Sequence, residues 1–341
     1  MSRDGTSASR NAPLVGTLLV LGYCVINSTK SVFEGSLVQH LSPEFIAFNS
    51  FVLAQGFYFM ICRDKAALLA TVRRCLPDVI ALNVATMVSW VAVLYAFTVF
   101  EPAMANSVIL GLVPSITIAL GFKLRPGVRA LRLEVVAALG MLAAMSFLVA
   151  AAWNGSSAIG DLPKDDLAAG LIYCVLTSFA LSAITYFTRR LGDQGMSVQQ
   201  MMASRFGVLI LVTLGLLIGR DSFDAYTPRN IGAILLISIV GVIVSLYLLQ
   251  AGMVRTEPIT VSMLFGTNLI ITYVVQFLDP RLHQSTTTFV GVLVLSAAMC
   301  LGAWARWRDG RDNPPAGVPD KVPAEVPAEA EGTTQNVGNR T

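Results

Sequence analysis

Residues 231–252 read IGAILLISIVGVIVSLYLLQAG, a run without one charged side chain. Such a run has the roughly 20 residues that carry a helix across the hydrocarbon layer of a bilayer. Lipid offers no partner for backbone N–H and C=O groups, so the run must close its hydrogen bonds on itself as a helix. Working outward, nine further apolar runs of similar length occupy 13–32, 44–62, 78–99, 103–122, 133–152, 168–188, 198–218, 258–277 and 287–305. The expected fold class is all-α: a polytopic membrane protein with ten transmembrane helices.

Composition agrees. Hydrophobic residues make up 55% of the 341 positions and charged residues only 13%, against about 45–50% and about 25% in soluble domains. A soluble fold is excluded. A net charge of +3 with scattered basic residues excludes a nucleic-acid surface as well. The five cysteines have neither paired nor metal-type spacing and read as small packing residues. The polar start lacks a small-residue cleavage site, so the first run is expected to stay in the mature chain.

Lys and Arg fall unevenly between the two sides. With residues 1–12 taken as cytoplasmic, that side collects 18 basic residues and the other four, Lys164, Arg220, Arg229 and Arg281. The positive-inside rule then places both termini in the cytoplasm. The expected organisation is a cytoplasmic segment 1–12, a first five-helix repeat 13–152, an external connection 153–167, a second repeat 168–307 and a tail 308–341. The tail is rich in Pro, Gly, Ala and Glu, with Val322-Pro-Ala-Glu325 followed directly by Val326-Pro-Ala-Glu329. It has too little apolar surface to offset its ordering entropy and is expected to be disordered.

Shifting the chain by 156 residues brings Glu101-Pro102 onto Glu257-Pro258 and Asn49 onto Arg205. The offset covers five spans, an odd number, so the second copy is inverted. Two inverted five-helix repeats around a site near the midplane are a common architecture of secondary transporters. Both Glu-Pro pairs are expected to be helix starts: proline at the first helical position loses no hydrogen bond, and the carboxylate faces the positive helix end.

Four short motifs then matter together: Asn27-Ser-Thr-Lys30 ending the first span, Ser42-Pro43 opening the second, Leu112-Val-Pro114 in the fourth, and Arg205 in the seventh. On these the chain, over about 13–305, resembles the drug/metabolite transporter superfamily and its EamA-like ten-helix exporters. The resemblance implies export of a small organic metabolite, an amino acid, a related metabolite or a drug-like compound. The chain differs from the family's usual pattern at Asn49, where an arginine is common, and at Ile270, opposite Pro114.

Ionisable and amide groups inside spans are the candidate site residues, because they are costly there without a role. Tyr23, Asn27, Lys30 and Glu34 share one face of the first helix by three- and four-residue spacing. Lys30 and Glu34 either line a cavity or snorkel to water near the helix end. Arg205 either faces a cavity or gate or snorkels to the interface, and Asn49, its counterpart, either lines the cavity or hydrogen-bonds a neighbouring helix. Trp90, with Asn83 and Thr86 on its face, offers an aromatic wall or a packing surface. Asn106 and Asn268 lie early in the fourth and ninth spans. Pro114 frees a carbonyl, giving either a gating bend or a packing kink.

No Walker-type glycine loop is present, and the two histidines, His40 and His283, are isolated. No cofactor, metal site or catalytic set is expected. The reading is a cell (inner) membrane carrier working by alternating access on a small-molecule substrate, with protons as a candidate coupling ion and the lipid bilayer as its other partner. A nucleotide-sugar or phosphorylated-metabolite carrier of the same fold is the alternative. A membrane-embedded enzyme or a receptor is the rival from another class.

Overall fold

The computed structural model describes residues 5–124, 131–155, 163–220, 225–253, 258–282 and 285–312. Glu257, His283 and residues 313–341, on which several expectations rest, lie outside the described residues. The helices are α1 (Gly5–Leu37), α2 (Pro43–Ile61), α3 (Lys65–Arg74), α4 (Leu76–Val99), α5 (Pro102–Leu124), α6 (Arg132–Trp153) and α7 (Lys164–Asp193). There follow α8 (Val198–Ser204), α9 (Gly207–Gly219), α10 (Pro228–Leu236), a π-helical stretch (Ile237–Val244), α11 (Ser245–Met253), α12 (Pro258–Val275) and α13 (Thr286–Asp312). Among the described residues nine helical stretches are long and apolar enough to cross a bilayer, and a further one, Leu264–Leu278, is apolar but shorter. The protein is a polytopic all-α membrane protein.

Local chemistry sets the helix ends. Ser42 and Ser197 each stand before a helix and accept a hydrogen bond from the backbone N–H three residues on, Phe45 and Gln200. These caps satisfy donors that a helix start leaves open. Glu101 precedes Pro102 as expected, and its carbonyl accepts from the Ala105 N–H at 2.9 Å.

Four features depart from the sequence reading. The seventh span, expected to run unbroken over 198–218, is interrupted at Arg205 and Phe206 between α8 and α9. The eighth passes through the π-helical stretch. The short helix α3 lies between the second and third spans. Finally, α1 runs to Leu37 and α13 to Asp312, past the composition change at Trp307.

Helix packing has a two-fold character. α1 packs on α12 and on the α10–α11 span, while α7 packs on α5 and α4. α5 lies against α6 as α12 lies against α13, and α2 meets α9 as α6 meets α13. The two parallel seams are stitched alike. Cys24 Sγ donates to the Leu264 carbonyl and Ser28 Oγ to that of Asn268, at 3.4 and 2.9 Å. Across the other seam Ser178 donates to the Ile109 carbonyl and Ser182 to that of Val113, at 3.1 and 3.2 Å.

Candidate functional site

Lys30 and Glu34 point into the helix packing. Their exposures are 7% and 3%, so neither snorkels. One turn apart on α1, they form an ion pair at 3.4 Å. The Lys30 ammonium also lies 4.2 Å from the centre of the Trp90 ring, where the aromatic face attracts a cation. An unpaired charge at this depth would cost several kcal/mol; pairing and the indole face make the burial tolerable. The lysine stem crosses the π-helical stretch at Gly241. A Cβ there would come within 2.6 Å of Lys30 Cγ, so only glycine leaves room.

Behind Trp90 an aromatic row runs across the molecule. Trp90 packs on Phe51 with ring centres 4.8 Å apart, and Phe51 on Phe206 at 5.0 Å. Phe206 belongs to the interruption of the seventh span. Two amide side chains hold that interruption open. Gln55 donates to the Ala203 carbonyl and accepts from the Phe206 N–H. Asn83 donates to the Ser204 carbonyl at 2.7 Å and accepts from the Val208 N–H at 3.3 Å. Each amide supplies the donor and acceptor that a broken helix lacks in lipid. Between them Arg205 turns its Nε to Thr86 Oγ1 at 3.0 Å. The structure therefore gathers Lys30, Glu34, Trp90 and Phe51 with the break that carries Arg205.

Other expected site residues lie apart from this group. Tyr23 packs on Phe265 with ring centres 5.8 Å apart, within the α1–α12 seam. Asn268 belongs to the same seam: its carbonyl and Oδ1 both accept from Ser28, and Thr272 donates to Ser28 and to the Asn268 carbonyl. Asn27 is half-buried. Asn49 does not meet Arg205; it donates to the Phe45 carbonyl and accepts from the Tyr226 hydroxyl at 3.2 Å. Asn106 stands one turn beyond Pro102, which abuts Gly35 of α1, and its buried Nδ2 has no hydrogen-bond partner among the described residues. Pro114 sits inside α5, which stays helical through it.

Charged clusters join helices at both ends of the bundle. Near the start of α2, the buried Glu44 accepts from Arg220 and from the Tyr95 hydroxyl, both at 3.1 Å. Arg220 in turn donates to Tyr95 at 2.6 Å. The phenol and the carboxylate raise the affinity of the Arg220 guanidinium for its proton. At the opposite end Asp78 of α4 pairs with Arg190 of α7 at 3.0 Å. Sequence reasoning missed Gln55, Glu44 and Gly241. Gln55 had a signal, an amide within an apolar run; Glu44 looked like an ordinary flanking charge, and nothing local marks Gly241.

Residues 168–301 match the family model described as the EamA-like transporter family. A solved structure titled only "Crystal structure of protein" aligns with a TM-score of 0.55 and 16% identity, over 88% of this chain and 99% of its own. That likeness is one of fold. None of the curated proteins compared with the chain matches it.

Proposed function

We propose, from the match of residues 168–301 to the EamA-like transporter family, that this chain is a ten-helix carrier of the drug/metabolite superfamily exporting a small organic metabolite by alternating access. The site is the buried group of Lys30, Glu34 and Trp90, with Arg205 at its edge. The observation that carries this reading is an ion pair under an indole face, deep in apolar helices and beside one interrupted span and one that passes through a π-helical stretch. Irregular helix in a bilayer is tolerated where it lines a cavity or is buried in protein.

The two parallel seams support an inverted repeat. Adding 154 to Cys24 and Ser28 gives Ser178 and Ser182, and adding 155 to Ile109 and Val113 gives their acceptor partners Leu264 and Asn268. The caps Ser42 and Ser197 are also 155 apart. These offsets agree with the 156 of the Glu-Pro pairs within the slack of one helical turn. With both termini in the cytoplasm of a cell (inner) membrane, the Glu44–Tyr95–Arg220 cluster closes the external side and Asp78–Arg190 the internal one. Glu34 is the carboxylate through which protons would couple.

The test is flux in proteoliposomes loaded with a mixed metabolite extract, read by mass spectrometry of the external medium. Selective, chemically unchanged efflux that Lys30→Met removes is the expected result. Chemical conversion of a solute, or no movement in a correctly folded preparation, would overturn the reading.

A further inference from the structure

Away from the transport site, where α4 begins and α7 ends, lies a notch of about 380 Å³ lined by Arg74, Cys75, Pro77, Asp78, Arg190 and Gln194. Its charges do not balance: two guanidinium groups face one carboxylate. Asp78 is already engaged, its Oδ2 meeting Arg190 Nε at 3.0 Å and Gln194 Nε2 at 2.8 Å. Arg74 Nη2 donates to the Gln194 carbonyl at 2.8 Å. A guanidinium carries five N–H groups, so most donors of both forks remain for a ligand. α4 opens here on Cys75, which contributes no side-chain cap.

A second observation narrows the ligand. Gln194 Oε1 is buried without a hydrogen-bond partner among the described residues. A bare anion cannot satisfy an acceptor; a hydroxyl or ammonium attached to the anion can. Two planar forks suit phosphate oxygens in bidentate contact. We propose that this notch binds an anionic phosphate ester whose alcohol carries a hydrogen-bond donor, with Arg74 and Arg190 holding the phosphate and Gln194 Oε1 accepting from the donor.

Two sources present that chemistry. The notch lies at the ends of the membrane-crossing stretches Leu76–Val99 and Lys164–Asp193, the level of lipid head groups, and the exposed Leu76 and Ile80 continue from it along α4. A phosphatidylglycerol head group is one source; a soluble phosphate ester such as glycerol phosphate is the other. Arg74 precedes α4 and Arg190 ends α7, so either would tie together helices from the two halves of the chain.

The experiment is thermal unfolding of the full chain in detergent with added dioctanoyl-phosphatidylglycerol, dioctanoyl-phosphatidylcholine or glycerol phosphate, paired with native mass spectrometry to count bound molecules. Phosphatidylcholine has the phosphate but neither net charge nor donor. Phosphatidylglycerol is expected to raise the melting temperature by about 5 °C at saturation and to remain bound. Arg74→Gln should abolish both effects, and Arg63→Gln, an exposed arginine outside the notch, should leave them unchanged. Glycerol phosphate acting alone with the same Arg74 dependence would assign the site to a soluble ester. If Arg74→Gln does not fold, Arg190→Gln serves. Equal binding of phosphatidylcholine, or adducts that survive both arginine variants, would overturn the proposal.

Discussion

The α1–α12 and α7–α5 seams are built alike, yet among the described residues only α1, beyond its seam, carries a buried ion pair, set against α4 and the π-helical stretch. Both are parallel helix pairs stitched by a thiol or hydroxyl donating to a carbonyl at four-residue steps. Carrying Lys30 and Glu34 across by the same offset of 154 lands on Ile184 and Thr188. The shared stitching is architecture, since hydrogen bonds between helices hold spans together where lipid gives no hydrophobic drive. The unshared charge pair is then the part that architecture does not require. The spans beside it differ as well: α2 and α4 run unbroken, while the seventh is interrupted and the eighth passes through a π-helical stretch.

The largest effect is expected from breaking the pair on one side only. Lys30→Met should leave Glu34 buried and unpaired, costing roughly 3–5 kcal/mol unless it takes up a proton, and should lower transport at least about tenfold. Ile184→Met, the matching change in the other seam, should cost under about 1.5 kcal/mol and leave transport intact. A double-mutant cycle of Lys30→Met with Glu34→Gln on transport rate and melting temperature measures the coupling. Additive losses would mean that the two charges act separately.

Arg205→Gln comes next. Its Nε bond to Thr86 is one interaction at a break that Gln55 and Asn83 already satisfy, so stability should fall by only about 1 kcal/mol while transport drops severalfold. A collapse in expression would reassign Arg205 to holding the break together. Gly241→Ala should fall between these cases: the added methyl meets the Lys30 stem and displaces the ammonium from Trp90. It should reduce transport more than Gly232→Ala, where a Cβ meets nothing within 4 Å.

Smaller still are the stitches. Ser28→Ala and Ser182→Ala should each cost about 0.6 kcal/mol, a typical figure for interhelical hydrogen bonds in membranes, and should cost the same if the seams are equivalent. Melting temperatures of the two variants check this, and a selective transport defect in Ser28→Ala would extend the site into the α1–α12 seam. The smallest effect concerns Asp279, outside the spans. Its hydrogen bonds to Arg281 hold its carboxyl below the usual range. A depressed carboxyl contributes stability that is present above its unfolded value near 4 and is lost as pH falls through the folded one. Asp279→Asn should therefore lower the melting temperature slightly near neutrality, where that contribution is fully present, and flatten the weak acid limb below about pH 4.

Run length and charge spacing along the chain determined much of this protein. Apolar runs of bilayer length can only be helices, so class, approximate spans and the helix starts at Ser42 and Glu101 were legible locally. Lys30, Glu34 and Trp90 stood out because polar groups and mid-span tryptophan are unusual there. Proximity was not legible. Whether Lys30 snorkels depends on how far α1 continues and what surrounds it; the structure continues α1 to Leu37 and sets Trp90 and Gly241 against the side chain. The interruption at Arg205 was hidden because the stretch Val198–Gly219 as a whole is long and apolar enough to cross a bilayer, and the amides that replace the missing backbone bonds, Gln55 and Asn83, come from two other spans. Asn268 and Tyr23 looked equivalent to Lys30 in sequence and were sent into a seam by the approach of α12. Hydrophobic length is a property of the chain, whereas the pairing of a buried charge depends on which helices meet around it, and that is decided only when the bundle packs.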